Sequence, residues 1–246
     1  MAGNADTTVE AVWLVGVDGS EHASRALRWA VHNVVGRATA LRVLRAWSAP
    51  VTGGLAMPPM NIDDLKPETA DETLDAVAAE LQPHGVSVEG RVEYGASSAV
   101  LLDACDRADL LVMGTRGLGG FSRLLLGSTS QQCATHAPIP VVVVPEPTDG
   151  DADVERLVVG MDGSSGARAA LTWALGFAPP AVDLVVVGAL THGAISGLEP
   201  TPGEVDEALA EFHRSVDEIE VATAQQGRCE RHLVRDHAAM ALLAAA

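Results

Sequence analysis

The sequence predicts an α/β chain: a parallel five-stranded sheet with helices on both faces in a first domain, then an incomplete second copy of that domain. Three observations carry this expectation. Short apolar, β-rich runs alternate strictly with helical periods up to about residue 145, the pattern of a parallel sheet covered by helices. Val15-Gly16-Val17-Asp18-Gly19-Ser20 returns as Val159-Gly160-Met161-Asp162-Gly163-Ser164. Ala26-Leu27-Arg28-Trp29-Ala30 is echoed by Ala170-Leu171-Thr172-Trp173-Ala174 at the same offset of 144. The join, Pro145-Glu146-Pro147-Thr148-Asp149-Gly150-Asp151, has the composition of a linker, so the expected domains are 1–147 and 154–246.

Each element has its own reason. Residues 12–17 (VWLVGV) are a short apolar run closed by Asp18-Gly19, which reads as a buried strand. Ser20 stands where a helix N-cap belongs, and Ala23, Ala26, Leu27, Ala30, Val31 and Val34 follow at helical spacing. Residues 39–47 read as strand two, and a Pro- and Gly-rich loop (49–60) and a helix over 63–82 follow. Strand three is expected at 86–92, a helix at 97–107, and a buried fourth strand at 110–113. A helix at 129–136 and a β-branched fifth strand at 139–144 complete the domain. The second copy offers strands at 156–160, 184–190 and 231–235 and helices at 167–176 and 204–226. Projecting Gly114 forward by 142 to 144 residues passes Ala246, so this copy is expected to lack strands four and five and the glycine motif.

In such a sheet a ligand binds beyond the carboxyl ends of the strands, where strand order reverses. Strand one is followed there by Asp18. Strand four is followed by Gly114-Thr115-Arg116-Gly117-Leu118-Gly119-Gly120-Phe121-Ser122-Arg123, and then by Gly127-Ser128-Thr129 opening a helix. So many glycines are costly as mere structure and make sense where backbone N–H groups must approach a ligand closely. A helix start favours an anion, Ser128 and Thr129 add hydroxyl donors, and Arg116 and Arg123 add charge. The segment reads as a phosphate cradle. It is no Walker loop, because no lysine precedes Ser128, and no dinucleotide fingerprint follows strand one.

Gly114-x2-Gly117-x9-Gly127-Ser128 resembles the G-2x-G-9x-G-[S/T] pattern of ATP-binding universal stress proteins. Val15 to Ser20 and the closing Pro138-Ile139-Pro140-Val141 to Val144 support the resemblance, which covers residues 11–145; the repeat is similar to the tandem members of actinobacteria. The resemblance implies a Rossmann-like domain that holds ATP, with Gly16 and Asp18 near the ribose and phosphates and Ala46 at the adenine edge. Met113, Gly114, Gly117, Gly127, Ser128 and Thr129 would wrap the ribose and phosphates, with Arg116 and Arg123 beside them. Asp18 is also the candidate ligand for a Mg ion carried with ATP. The implied role is a nucleotide-dependent regulatory module in stress adaptation. Fifth strands pair across a dimer-like interface in the family, so 139–144 is the expected homo-oligomer contact.

Composition narrows the alternatives. Sixteen Lys and Arg against 33 Asp and Glu give a net charge of -17, a poor match to nucleic acid or anionic membrane. No run approaches the ~18 to 20 apolar residues of a bilayer span, and the first ten residues hold no Lys or Arg, so a cytoplasmic location is expected. Cys105, Cys133 and Cys229 form no C-x-x-C pair and read as buried thiols, and His232 and His237 do not suggest a metal site. No G-x-S-x-G elbow exists, and His136 lies eight residues from Ser128, so turnover is not expected. Glu21 and His22 are expected as surface residues of the first helix, and Trp29 and Trp173 as helix–sheet packing. The alternatives are a nucleotide-free interaction scaffold with a vestigial site, and a slow ATPase in which Asp18 and Mg position water. The 49–60 loop could serve as a nucleotide cover or as a partner patch.

Overall fold

A computed structural model of the chain describes residues 11–48, 71–117, 126–145, 156–190 and 201–246. The chain divides into two compact units, Met1–Pro147 and Thr148–Ala246.

The first unit carries strands β1 (Val12–Val17), β2 (Ala40–Trp47), β3 (Ser87–Tyr94), β4 (Leu110–Gly114) and β5 (Val141–Val144). All pairings are parallel, in the order β3-β2-β1-β4-β5, so strand order reverses between β1 and β4. Helices α1 (Glu21–Val34), α2 (Asp71–Leu81), α3 (Ser97–Ala104) and α4 (Ser128–His136) make the connections. Central strands covered on both faces must be apolar throughout, and Leu14, Val15, Leu111 and Val112 are fully buried.

Ser20 caps α1 by accepting a hydrogen bond from Ala23 N (3.2 Å), and the six residues read as the helix's apolar stripe are all buried. Trp29 stacks on Trp13 of β1 with ring centroids 6.0 Å apart. A second cluster joins Leu14, Leu44, Leu101, Leu111, Met113 and Cys133 beneath α3 and α4.

Boundaries shift where local hydrogen bonding decides them. The helix expected over 97–107 ends at Ala104 and tightens into a 3-10 turn over Cys105–Arg107. Strand β3 runs on to Tyr94 because β2 offers it partners as far as Trp47. Helix α4 begins at Ser128, one residue earlier than its pattern suggests, with Gly127 in extended backbone as its cap. The 49–60 loop and the start of the helix expected from residue 63 lie outside the described residues.

The second unit holds β6 (Arg156–Gly160), β7 (Asp183–Ala189) and β8 (Cys229–Val234), parallel and in the order β6-β7-β8, with α5 (Ser165–Phe177), α6 (Pro202–Ala222) and α7 (Ala238–Ala245). Ser164 caps α5 through Ala167 N at 3.2 Å, as Ser20 caps α1. Helix α6 starts at Pro202 rather than 204 because Thr201 and Glu204 form a reciprocal capping box. It stops at Ala222 rather than 226 as Ala224 turns to a left-handed φ of 55°. Strand β8 begins at Cys229, two residues before the expected start, because the carboxylate of Glu220 accepts from Cys229 N at 2.8 Å. Val159, Leu171, Leu175, Val186, Val216 and Ile219 form the core, with Trp173 packed against it and stacked on Phe177 (4.5 Å).

Candidate functional site at the carboxyl ends of the first sheet

The site begins where β1 ends. Asp18 Oδ1 accepts from Ser20 N at 2.9 Å, folding the chain back over its own carboxylate. Gly19 takes a φ of +84°, a conformation that costs a side-chain-bearing residue dearly, and this turn delivers Ser20 to the cap of α1. Asp-Gly-Ser is thus a strand exit, a left-handed turn and a helix cap in three residues.

The exit of β4 lies directly on this turn. A Cβ at position 114 would stand 2.6 Å from the His22 carbonyl oxygen, so Gly114 allows β4 and α1 to approach as closely as they do. A Cβ at position 117 would collide with Asp18 Oδ2. The far end of the segment returns to the same place, with Gly127 N donating to the Thr115 carbonyl oxygen at 2.7 Å. From α4, the buried Ser130 hydroxyl donates to the Gly114 carbonyl oxygen at 2.8 Å.

These contacts enclose a cavity of about 410 Å³ at the point where strand order reverses. Gly16, Asp18, Ala46, Met113, Gly114, Arg116, Gly117, Gly127, Ser128 and Thr129 all line it. Arg123, also expected here, lies outside the described residues. The apolar part of the lining includes Ala46, Leu44, Leu101 and Met113. The buried Arg116 Nε has no hydrogen-bond partner among the described residues, and an anion in this cavity could satisfy it. Backbone N–H groups in the first turn of α4 are unsatisfied within the helix and add positive potential.

Several lining residues were not expected: Val17, Ala23, Leu44, Ser97, Leu101 and Ser130. Ser97 opens α3 directly after β3, so the carboxyl-edge rule that pointed to Asp18 could also have found it. Leu101 closes over Gly16, whose Cβ would meet its methyl groups at 3.1 Å.

His22 corrects an expectation. Glu21 behaves as a surface residue, pairing with Arg28 at 3.1 Å in solvent. His22 is half-buried instead, with Nδ1 3.1 Å from the Thr115 hydroxyl and 3.0 Å from Arg25 Nη2. The bare Cα of Gly114 brings the end of β4 onto this turn of α1 and covers it.

The second unit repeats part of this construction. Asp162 Oδ1 accepts from Ser164 N at 2.9 Å. Hydrogen bonds from the Ser164 side chain and backbone hold the Asp162 carboxyl below the usual range. Leu242 of α7 stands over Gly160 as Leu101 does over Gly16, and a cavity of about 290 Å³ opens beside Asp162. Among the described residues no group of three or more His, Cys, Asp or Glu could hold a metal ion, and no helix is long and apolar enough to cross a membrane.

A family model for the universal stress protein family matches residues 13–145. The chain is 32% identical over 204 residues to a universal stress protein of Mycolicibacterium smegmatis, covering 79% of this chain and 69% of that one. It is 28% identical over 177 residues to a universal stress protein of Mycobacterium tuberculosis, covering 71% of this chain. The chain spans only 62% of that second relative's length. In structure it resembles a universal stress protein from Archaeoglobus fulgidus with a TM-score of 0.66, at 21% identity, over 96% of this chain and 80% of that one, a likeness of fold. With more than half its length matched by the family model, and with that mycobacterial likeness, this chain belongs to the universal stress protein family.

Proposed function

We propose that the first unit binds ATP in the 410 Å³ cavity and that the chain acts as a nucleotide-dependent regulatory module in stress adaptation rather than as a turnover enzyme. The observation that carries the reading is convergence. Asp18, the bare Cα atoms of Gly114, Gly117 and Gly127, Arg116, and the start of α4 meet at one cavity from distant parts of the chain. The donor set suits a polyphosphate: backbone N–H groups without side-chain bulk, two hydroxyls, and a buried guanidinium nitrogen with no partner among the described residues. Ala46, Leu44, Leu101 and Met113 suit the flat apolar faces of a purine, and the volume lies within the ~300 to 1,000 Å³ of small-molecule sites. Asp18 would accept from ribose hydroxyls or share a Mg ion brought by ATP.

Among the described residues no activated nucleophile lines the cavity, which is compatible with a regulatory role. His136 is exposed on α4, its Nδ1 3.0 Å from the Gln132 carbonyl oxygen, rather than beside Ser128. The test is direct. The full chain, purified without added nucleotide and then denatured, should release near-stoichiometric ATP, and the emptied protein should bind ATP in calorimetry. Failure of both would favour the nucleotide-free scaffold. Hydrolysis approaching ~1 s⁻¹, the low end of ordinary enzymes, would overturn the non-enzymatic part.

The same reading assigns a homo-oligomer contact to β5, one of the two edge strands of its sheet, whose four valines are only half-buried. Light scattering should then report more than a monomer at micromolar concentration; a monomer would refute the assignment. The reading also places the protein in the cytoplasm, which fractionation would check.

A further inference from the structure

Thr115 ties both ends of the glycine segment. Its carbonyl oxygen accepts from Gly127 N at 2.7 Å, and its hydroxyl lies 3.1 Å from His22 Nδ1. The same ring nitrogen is 3.0 Å from Arg25 Nη2. Arginine has no acceptor, so Nδ1 is the accepting nitrogen in this contact. The Thr115 hydroxyl then donates to the same lone pair. A continuous link runs from the first turn of α1, through His22 and Thr115, to Gly127, the cap of α4. Neither His22 nor Thr115 lines the cavity, whereas Gly127, Ser128 and Thr129 at the end of the link do.

We infer that His22 and Thr115 are positioning residues that set the affinity of this cavity for the phosphates of its ligand and leave its affinity for the nucleoside unaffected. The inference rests on the nucleotide reading above and identifies which part of the ligand is governed from outside the cavity. The link ends on the segment that supplies phosphate donors, and an anion site loses strength steeply when its donors are held loosely. The apolar residues Leu44, Ala46 and Leu101 belong to β2 and α3 and are not part of the link. A ligand without phosphate should therefore not sense it.

The experiment is calorimetry on the full chain with ATP and, separately, with adenosine. Thr115→Val, nearly isosteric but without a hydroxyl, and His22→Ala should each raise the ATP dissociation constant about tenfold, the size of one lost hydrogen bond in a charged site. Both should leave the adenosine constant within about twofold. Thr115→Ser should bind ATP like the native chain. So should His22→Asn, whose Oδ1 is attached at the same Cγ as the native Nδ1. The double variant should be no worse than the weaker single one, because both break one link. Native-like ATP affinity in Thr115→Val and His22→Ala would overturn the inference alone, as would parallel loss of ATP and adenosine in variants that melt like the native chain. A native chain that binds neither ligand would overturn the nucleotide reading and this inference with it.

Discussion

The carboxylate of Asp18 lies where a side chain on Gly117 would begin: a Cβ at 117 would overlap Oδ2, while Oδ1 accepts from Ser20 N at 2.9 Å. Strand β1 and the glycine segment thus meet through one carboxylate and one missing side chain.

Gly117→Ala should therefore act through Asp18. Either the carboxylate or the segment must move, and ATP affinity should fall at least about tenfold with little change in overall stability. In an Asp18→Ala background the collision is gone, so adding Gly117→Ala should cost little more. Calorimetric titration of the four proteins reads this coupling, and strictly additive losses would refute it.

Gly114→Ala should instead destabilise the fold. The new Cβ would meet the His22 carbonyl oxygen, carbonyl carbon and Cβ at 2.6, 2.7 and 2.8 Å, and backbone cannot yield as a flexible side-chain tip can. Overpacking of this kind costs about 1–3 kcal/mol, to be read from the urea midpoint. An unchanged midpoint would mean that β4 and α1 are not in the contact described.

Base and phosphate contacts should separate by ligand. Ala46→Phe fills the apolar part of the cavity and should weaken adenosine and ATP alike. Arg116→Ala removes a buried donor and should weaken ATP by about tenfold while sparing adenosine. Equal losses for both ligands in Arg116→Ala would remove Arg116 from the phosphate end.

In the second unit, Glu220 is 2% exposed and accepts from Gly227 N (2.8 Å), Cys229 N (2.8 Å) and Arg231 Nη2 (2.7 Å). Burial alone would raise its pKa, but the hydrogen bonds from Gly227 and Cys229 and the charge of Arg231 outweigh it and hold the carboxyl below the usual value. A depressed folded pKa favours folding above the unfolded value, about 4.3, and that contribution is lost as pH falls through the folded value. The second unit should therefore weaken below about pH 4.3. Glu220→Gln should destabilise it by about 1–2 kcal/mol at neutral pH, because the two N–H groups and Arg231, which keeps Asp217 at 2.7 Å, exchange a charged acceptor for a neutral one. Thermal melts between pH 3 and 7 decide this, and a Glu220→Gln melt that matches the native one at pH 7 would refute it.

The three thiols should be slow to react. Burial pushes Cys105 up to about 11 and Cys229 up to about 12, where the hydrogen bond and charge of Glu220 add to it, and burial also raises Cys133. Only the thiolate attacks, so a disulfide reagent at pH 7.5 should label all three slowly until denaturant is added. Rapid labelling of native Cys229 would contradict its surroundings in β8.

The sequence by itself determined the strands, the helices other than α7, the Asp-Gly-Ser turn and the glycine segment, because those rest on local spacing. A 3.6-residue stripe such as Ala23 to Val34 and a cap such as Ser20 need only their near neighbours. The carboxyl-edge rule then directed attention to Asp18 and Gly114, and the family resemblance added Gly16 and Ala46, before any packing was known. Tertiary structure alone decided His22, Ser130 and Glu220. The partner of His22 lies 93 residues away and that of Ser130 lies 16 away, and nothing in the spacing of α1 or α4 names either. Glu220 sits in a charged helix that reads as solvated, and it is buried because Gly227, Cys229 and Arg231 close over it. Periodicity says which face of an element turns inward, but the polar partner it meets there depends on the docking of elements distant in sequence.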